Sequence, residues 1–362
     1  MIRLKEGKNK RSILDEGFMF IIETNTTDPA VNLAFEEYYL RHAAFDDPIL
    51  MLWRNEPTVV VGAFQNTYSE VDYDYLRSHN IHLVRRTTGG GAVYHDLGNL
   101  CYSFIRLETD LEHLDFHQFL QPVKTALATL GIDAEISGRN DLLVDGRKIS
   151  GSAARVAGDR VLFHGTLLYS SDLDVLSRVL TVKKEKIVSK GVPSVRSRVT
   201  RIADHLLHSL DILEFKQLLL NAFLDPETHS PYEPSEREKQ AILALADSKY
   251  RNDEWTLGKN PSFNVSYSHR FDKGELTVKL LVHHSRIEHC HFEGDYLGWL
   301  DSDEVASALV GVVYSRESVE AVMKRFEESS AGSMSRLDLY FGGLTRNGIV
   351  GTIMGEHKQQ DE

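Results

Sequence analysis

Residues 85–96 read Arg-Arg-Thr-Thr-Gly-Gly-Gly-Ala-Val-Tyr-His-Asp. Three consecutive glycines remove every Cβ, so the backbone there can take positive φ and approach a ligand closely. Successive N–H groups in such a turn form a concavity for an anion, and Arg85 and Arg86 just upstream add planar, bidentate phosphate donors. The functional reading is a nucleotide-phosphate loop; the plain one is a tight connection between two strands, and these residues alone leave both open. The stretch is not a dinucleotide fingerprint, because it lacks Gly-x-Gly-x-x-Gly and a strand follows it. Nor is it a P-loop, because the Gly-Lys-Ser/Thr ending is absent.

A second constellation is Gly138-Arg139-Asn140-Asp141, followed by Asp145-Gly146-Arg147-Lys148-Ile149-Ser150-Gly151-Ser152. Asp-Gly suits a type I′ turn, so Lys148 lies on a strand leaving a tight hairpin. A lysine among glycines and serines can reach into a cleft as a point charge for a carboxylate and a phosphate together, which joining an acid to an adenylate requires. A solvated strand lysine is the ordinary alternative. Asp141 could hold a divalent cation or cap a turn. His95 and Asp96 are neighbours on a strand and point to opposite faces, so they read as a turn with structural hydrogen bonds. His164 reads as a satisfied histidine near a pocket, and Cys101, on an apolar strand, as core. His289-Cys290-His291 matches no standard zinc spacing. The basic run from Lys183 to Lys190 reads as solvated surface.

These groups need a scaffold. Asp28-Pro29 reads as a helix start, and Val31, Ala34, Phe35, Tyr38 and His42 keep helical spacing to about Ala43. Strands are expected at Phe18–Thr24, Ile49–Trp53, Thr58–Gly62, Ile81–Arg86 and Asn99–Ile105, and Ser69-Glu70-Val71-Asp72 resembles a capping box. A helix runs from about Phe116 to Leu130 and stops at Gly131. Residues 172–250 read as mostly helical, ending in Glu236–Lys249. A hairpin over Phe263–Phe271 and Glu275–His284 follows, then a strand to Phe292 and helices at Ser302–Val310 and Ser318–Glu328. Strands and helices do not alternate regularly, so the fold class is α+β.

The chain has 362 residues and a formal net charge of −12. That balance argues against nucleic acid or an anionic membrane as partner. Two cysteines cannot build a disulfide framework. Val305–Ser315 is far shorter than the ~20 residues of a spanning helix, and no signal-like apolar stretch follows the basic leader. A soluble, cytoplasmic protein is expected.

Taken together, Arg85-Arg86-x-x-Gly-Gly-Gly-Ala-Val-Tyr-His-Asp-x-Gly-Asn99, Gly138–Asp141, Arg147-Lys148-Ile-Ser-Gly-Ser-Ala153, His164-Gly-Thr-Leu-Leu168 and Lys190-Gly-Val-Pro-Ser-Val-Arg-Ser-Arg-Val199 resemble a lipoate–protein ligase. The resemblance implies a biotin/lipoate-ligase-like catalytic domain with mixed sheets and packed helices over residues 1–248, and a small α+β accessory domain over 249–362. It implies that lipoate and ATP give lipoyl-AMP and pyrophosphate. The acyl group then passes to a lysine on an apo lipoyl domain of a 2-oxoacid dehydrogenase E2 subunit or on glycine-cleavage H protein. Carried over by motif, Arg86, Gly90, Gly91, Ala92, Val93 and Tyr94 hold ATP and the adenylate. Lys148 is the catalytic contact to the carboxyl oxygen and α-phosphate. Asn99 and Asp141 support the site, with Asp141 the candidate ligand for Mg²⁺. No protein nucleophile is implied. An apolar tunnel for the lipoyl chain is expected along Leu33, Val60 or Leu162.

Overall fold

The structure, a computed structural model, describes residues 19–65, 67–108, 111, 114–180, 198–223, 229–257, 263, 265–283, 286–328 and 335–356. Eight strands form a mixed sheet in the order β11 (His229–Pro231), β1 (Met19–Ile22), β2 (Ile49–Trp53), β6 (Asn99–Leu107), β10 (Arg160–Leu168), β9 (Arg147–Ala157), β8 (Asp141–Val144) and β7 (Glu135–Ser137). Only the pairings of β1 with β11 and with β2 are parallel; the others are antiparallel. A smaller sheet orders β4 (His82–Arg85), β3 (Thr58–Val61) and β5 (Val93–His95), so the glycine turn connects its two outer strands.

The large sheet is covered on both faces, and its central strands are apolar on both sides. Ile49, Met51 and Trp53 of β2 join one cluster with Leu33, Ala34 and Tyr39 of the helix Pro29–His42. Leu50 and Leu52 point the other way, into a core with Phe119, Leu120, Val123 and Leu127 of the helix Phe116–Thr129 and Phe215 and Leu219 of Ile212–Phe223. The first helix starts where the sequence places it. Asp28 Oδ1 accepts from Ala30 N at 2.8 Å and Val31 N at 3.3 Å, ahead of Pro29.

Two local readings differ from the structure. Residues 67–78 form two short helices, Thr67–Glu70 and Tyr73–Ser78, and Asp72 caps the second through Tyr75 N at 3.0 Å. Val71 and Asp72 are drawn out of helix because their backbone bonds Val179 and Leu180. Within the stretch read as helical, β11 adds a parallel edge strand. Pro231 is tolerated there because an edge strand does not need every N–H.

From Val265 onward the chain builds a three-stranded antiparallel sheet, β12 (Val265–Phe271), β13 (Gly274–His283) and β14 (Arg286–Gly294). The helices Asp303–Leu309, Arg316–Glu328, Arg336–Phe341 and Arg346–Met354 enclose its apolar core, which includes Leu276, Val278, Phe292, Tyr296, Met323 and Phe341. No helix among the described residues is long and apolar enough to cross a membrane.

Residues 246–257 pack back onto the first part. Glu37, 4% exposed on the first helix, accepts from Lys249 Nζ at 2.7 Å, Tyr250 OH at 2.7 Å and Arg41 Nε at 2.9 Å. Burial raises the Glu37 carboxyl, but the Lys249 charge and these hydrogen bonds outweigh it and hold the carboxyl below its usual range. For Lys249 burial wins, and the ammonium sits below its usual value. A carboxyl depressed on folding stabilises the protein above its unfolded pKa, and that stability disappears as pH falls through the folded pKa. Glu37→Gln should therefore cost about 1–3 kcal/mol at neutral pH by urea unfolding. The gap to wild type should close as pH is lowered through and below the carboxylate range. A gap independent of pH would contradict the charged state assigned to Glu37.

Candidate active site

The two arginines at the end of β4 do not project into solvent as phosphate donors. Arg85 is 6% exposed, and its guanidinium bonds the carbonyls of Gly62 at 2.9 Å, Gln65 at 2.7 Å and Thr256 at 2.8 Å and the Thr67 hydroxyl at 2.6 Å. Trp255 Nε1 returns a bond to the Arg85 carbonyl at 2.8 Å. Arg86, also 6% exposed, donates to Thr88 Oγ1 at 2.9 Å and to the carbonyls of Val60 at 3.2 Å, Gly89 at 2.6 Å and Gly91 at 2.9 Å. Burial pushes Arg86 down to about 10, so it remains charged at neutral pH. Arg86 is thus the internal brace of the glycine turn.

The turn lies tight against β3. A Cβ on Gly62 would sit 2.0 Å from the Gly90 carbonyl oxygen, and Gly90 itself has φ +90°. From this brace a polar chain runs inward. Thr88 Oγ1 is 2.7 Å from His164 Nε2, and His164 Nδ1 is 2.8 Å from the buried Glu36 carboxylate. Ser103 Oγ donates to Glu36 at 2.6 Å and accepts from Trp53 Nε1 at 2.8 Å. With its proton on Nδ1 facing Glu36 and Nε2 accepting from the Thr88 hydroxyl, His164 satisfies both neighbours.

Lys148 depends on a β-bulge. Its strand pairs with β8 as Asp141↔Gly151 and Leu142↔Ser150, but then Leu143↔Lys148, so Ile149 is the extra residue. Three residues apart on a regular strand, Lys148 and Gly151 would face opposite ways; the bulge reverses that parity. The lysine side chain therefore lies over Gly151, where a Cβ would meet Nζ at 2.7 Å and Cε at 2.8 Å. Its Nζ is 2.7 Å from Asp141 Oδ1, both side chains being about one-third exposed (36% and 31%). Thr200 N bonds the Lys148 carbonyl at 2.9 Å, so the end of the Lys190–Val199 motif lies on this strand. The rest of that motif and the basic run Lys183–Lys190 lie outside the described residues.

Both constellations line one cavity of about 910 Å³. Leu33, Trp53, Val60, Val93 and Cys101, which pack in one cluster, give it an apolar part, and Arg139, Asn140, Asp141 and Lys148 add polar groups. Gly90, Gly91 and Ala92 lie along the wall with the edge of Arg86. Two expected contacts fall elsewhere: Tyr94 packs with Val59, Val61 and Leu76, and Asn99 is fully buried with its amide on Cys101 Sγ at 3.2 Å. Of the three expected tunnel residues Leu33 and Val60 line the cavity, whereas Leu162 sits in the core. Burial, with the Arg86 charge, pushes His95 down to about 3, and burial pushes the Cys101 thiol well up. Neither is an ionised group at neutral pH. Asp96 holds the Gly98 and Asp172 amides at 2.9 and 2.8 Å. Among the described residues no three His, Cys, Asp or Glu side chains gather as a metal site.

The C-terminal part closes the cavity, which the sequence reading does not anticipate. Gly90 N bonds the Tyr296 carbonyl at 3.3 Å, and the Phe64 and Tyr296 rings stack at 5.0 Å. Arg139, named only as part of a motif, donates to the carbonyls of Gly342 at 2.5 Å and Leu297 at 3.0 Å.

The family described as lipoyl protein ligase A/B catalytic domain matches residues 28–224, and that described as bacterial lipoate protein ligase C-terminus matches 260–350. The chain is 38% identical over 331 residues to lipoate–protein ligase 1 of Staphylococcus aureus, covering 91% of this chain and 98% of that protein. Among solved structures, a bipartite lipoate protein ligase of Thermoplasma acidophilum, studied with its E2 lipoyl domain, is 34% identical. It covers 69% of this chain and 99% of its own, with TM-score 0.58. A lipoate–protein ligase A bound with ATP is 32% identical, covering 67% of this chain and 99% of that one, with TM-score 0.55. These matches make the chain an enzyme of the ligase class. The chain belongs to the lipoate–protein ligase family.

Gly151→Ala tests the lysine's placement without removing its charge. The new methyl displaces Nζ and Cε, and carrier lipoylation should fall by about tenfold or more, since small misplacements of a reacting group are costly. The unfolding midpoint should barely move. Unchanged lipoylation would show that the seat over Gly151 is not needed.

Proposed function

We infer that the protein is an ATP-dependent lipoate–protein ligase that converts lipoate and ATP to lipoyl-AMP and pyrophosphate. It then transfers the lipoyl group to a lysine of an apo lipoyl domain of a 2-oxoacid dehydrogenase E2 subunit or of glycine-cleavage H protein. One observation carries this reading: the Lys148 ammonium sits 2.7 Å from Asp141 on the wall of a cavity that is also lined by the apolar cluster of Leu33, Trp53 and Val60. The ATP-bound relative and the Thermoplasma ligase studied with its E2 lipoyl domain support the nucleotide and the carrier.

In the first step a lipoate carboxylate oxygen attacks the α-phosphorus, the bond to the bridging oxygen breaks, and pyrophosphate leaves. Two anions must approach, and an ammonium fixed between them stabilises that encounter and the charge of the transition state. In the second step the carrier amine attacks the anhydride carbonyl, the bond to AMP breaks, and the amine proton passes to solvent. Lys148 polarises the same carbonyl, and the unionised Cys101 is not called on. The apolar part receives the lipoyl chain. Gly90, Gly91, Ala92 and Val93 supply backbone to the nucleotide, and Arg86 holds that backbone in shape. Asn99 supports the wall from behind.

Mg²⁺ binds through one or two carboxylates together with substrate phosphates. Asp141 is the carboxylate beside Lys148, already paired with it. This donor set fits a metal carried on ATP, with Asp141 as its protein ligand, and such a metal would neutralise phosphate charge. We divide the chain into a catalytic unit, 1–248, and an accessory unit, 249–362, whose first residues pack back on the former. Because the reaction consumes ATP, the cytoplasm is the compartment this reading assigns.

Purified protein with lipoate, MgATP and an apo lipoyl domain should release pyrophosphate and raise the carrier mass by one lipoyl group. Lys148→Ala should abolish both with its circular dichroism intact. Near wild-type pyrophosphate release by that variant would sink the role of Lys148. Transfer by the wild type from preformed lipoyl-AMP only would make the protein a transferase fed by another activating enzyme.

A further inference from the structure

The accessory sheet sends one hairpin turn into the cavity. Strands β12 and β13 end at the pair Phe271↔Gly274, leaving Asp272 and Lys273 as a two-residue tip. Arg270, Asp272, Lys273 and Gly274 line the same cavity as Lys148 and Asp141. Arg270 is committed, with Asp295 at 2.9 Å and Glu275 at 3.7 Å. Lys273 has no hydrogen-bond or ion-pair partner among the described residues, although Asp272 is its neighbour on the tip.

Lys273 is not placed at random on that wall. Its Nζ lies where a Cβ on Gly343 would come within 2.7 Å, and Arg139 Nη1 lies where a Cβ on Gly342 would come within 2.6 Å. Both glycines have positive φ, +66° at Gly342 and +83° at Gly343. Two cations, one from each part of the chain, thus converge on one glycine pair. Arg139 feels Asp338 and Asp115 and donates to the two carbonyls. Of the lysines and arginines that line the cavity, Lys273 alone has no hydrogen-bond or ion-pair partner among the described residues. A cation without a partner on a cavity wall favours an anionic ligand.

We propose that Lys273 is a phosphate-binding residue of the ligase reaction, holding the β- and γ-phosphates of ATP and hence the departing pyrophosphate. This rests on the function proposed above. When the α-phosphorus–oxygen bond breaks, negative charge grows on the pyrophosphate oxygen, and an ammonium there stabilises it. The carrier-directed step no longer contains those phosphates, so Lys273 has no part in it.

The test uses the full-length protein and its variants Lys273→Gln and Lys273→Arg. Three quantities are read: the ATP dependence of pyrophosphate release, inhibition by added inorganic pyrophosphate, and transfer to an apo lipoyl domain from preformed lipoyl-AMP. Removing a single ammonium–phosphate interaction should lower kcat/KM for ATP by about tenfold or more. Pyrophosphate inhibition should weaken by a similar factor, transfer from lipoyl-AMP should change less than about twofold, and Lys273→Arg should recover most of the loss. Unaltered ATP dependence and pyrophosphate inhibition in Lys273→Gln, with an active wild type, would overturn the assignment. So would a parallel fall in both half-reactions that Arg does not rescue. A wild type that neither activates nor transfers would instead overturn the function on which the assignment rests.

Discussion

Two guanidinium groups buried side by side constrain everything around them. An arginine keeps its charge, carries five N–H donors and accepts nothing, so inside a protein it must be surrounded by acceptors. Arg85 and Arg86 meet that demand with backbone carbonyls. Carbonyls belong to chain segments, so satisfying the charges fixes the paths of those segments. Arg85 binds residues 62–65 to 255–256, and Arg86 binds the Gly89–Gly91 turn to β3. The turn can pack so close only because Gly62 and Gly90 lack side chains. The charge stays because an anion, Glu36, lies at the far end of the Thr88–His164 chain. Removing one partner of such a network leaves a buried charge uncompensated, the expensive outcome.

The second constraint is one of parity. A strand offers its two faces to alternate residues, and Lys148 reaches the face of Gly151 only because Ile149 is inserted between paired positions. The bulge places an ammonium over a bare backbone and against Asp141 without burying it completely. The ammonium is about one-third exposed, and its geometry is fixed by an ion pair and a strand. The cavity wall thereby has two characters. One part excludes charge, because His95 and Cys101 are held un-ionised by burial; the other concentrates it.

Much of the scaffold was legible in the sequence because it follows local rules. Asp28-Pro29, the Asp145-Gly146 turn and Gly131 each express a backbone preference, and structure forms where they predict it. The apolar runs at Ile49–Trp53 and Asn99–Ile105 are central strands because two-sided burial leaves no polar alternation. The site was legible as a set of motifs but not as geometry. Adjacent arginines beside glycines look like phosphate donors, and nothing local says that Val60 and Gly91 carbonyls will take those N–H groups first. Tyr94 and Asn99 sit inside a contiguous motif, yet one packs in a small core and the other behind the wall. The bulge at Ile149, the edge strand at His229–Pro231 and the reach of the β12–β13 turn into the cavity are products of tertiary pairing. Arg139 illustrates the limit: its carbonyl partners lie 158 and 203 positions away.

The chemistry assigned to this cavity turns on where the lipoate carboxylate attacks. Lipoate labelled with heavy oxygen in its carboxyl group, incubated with ATP, the protein and an apo lipoyl domain, answers that directly by mass spectrometry of the products. Attack on the α-phosphorus beside Lys148 predicts AMP carrying one heavy oxygen, unlabelled pyrophosphate and a lipoylated carrier. Label in inorganic phosphate, with ADP as the nucleotide product, would mean attack at the γ-phosphorus and would contradict the chemistry assigned to this cavity.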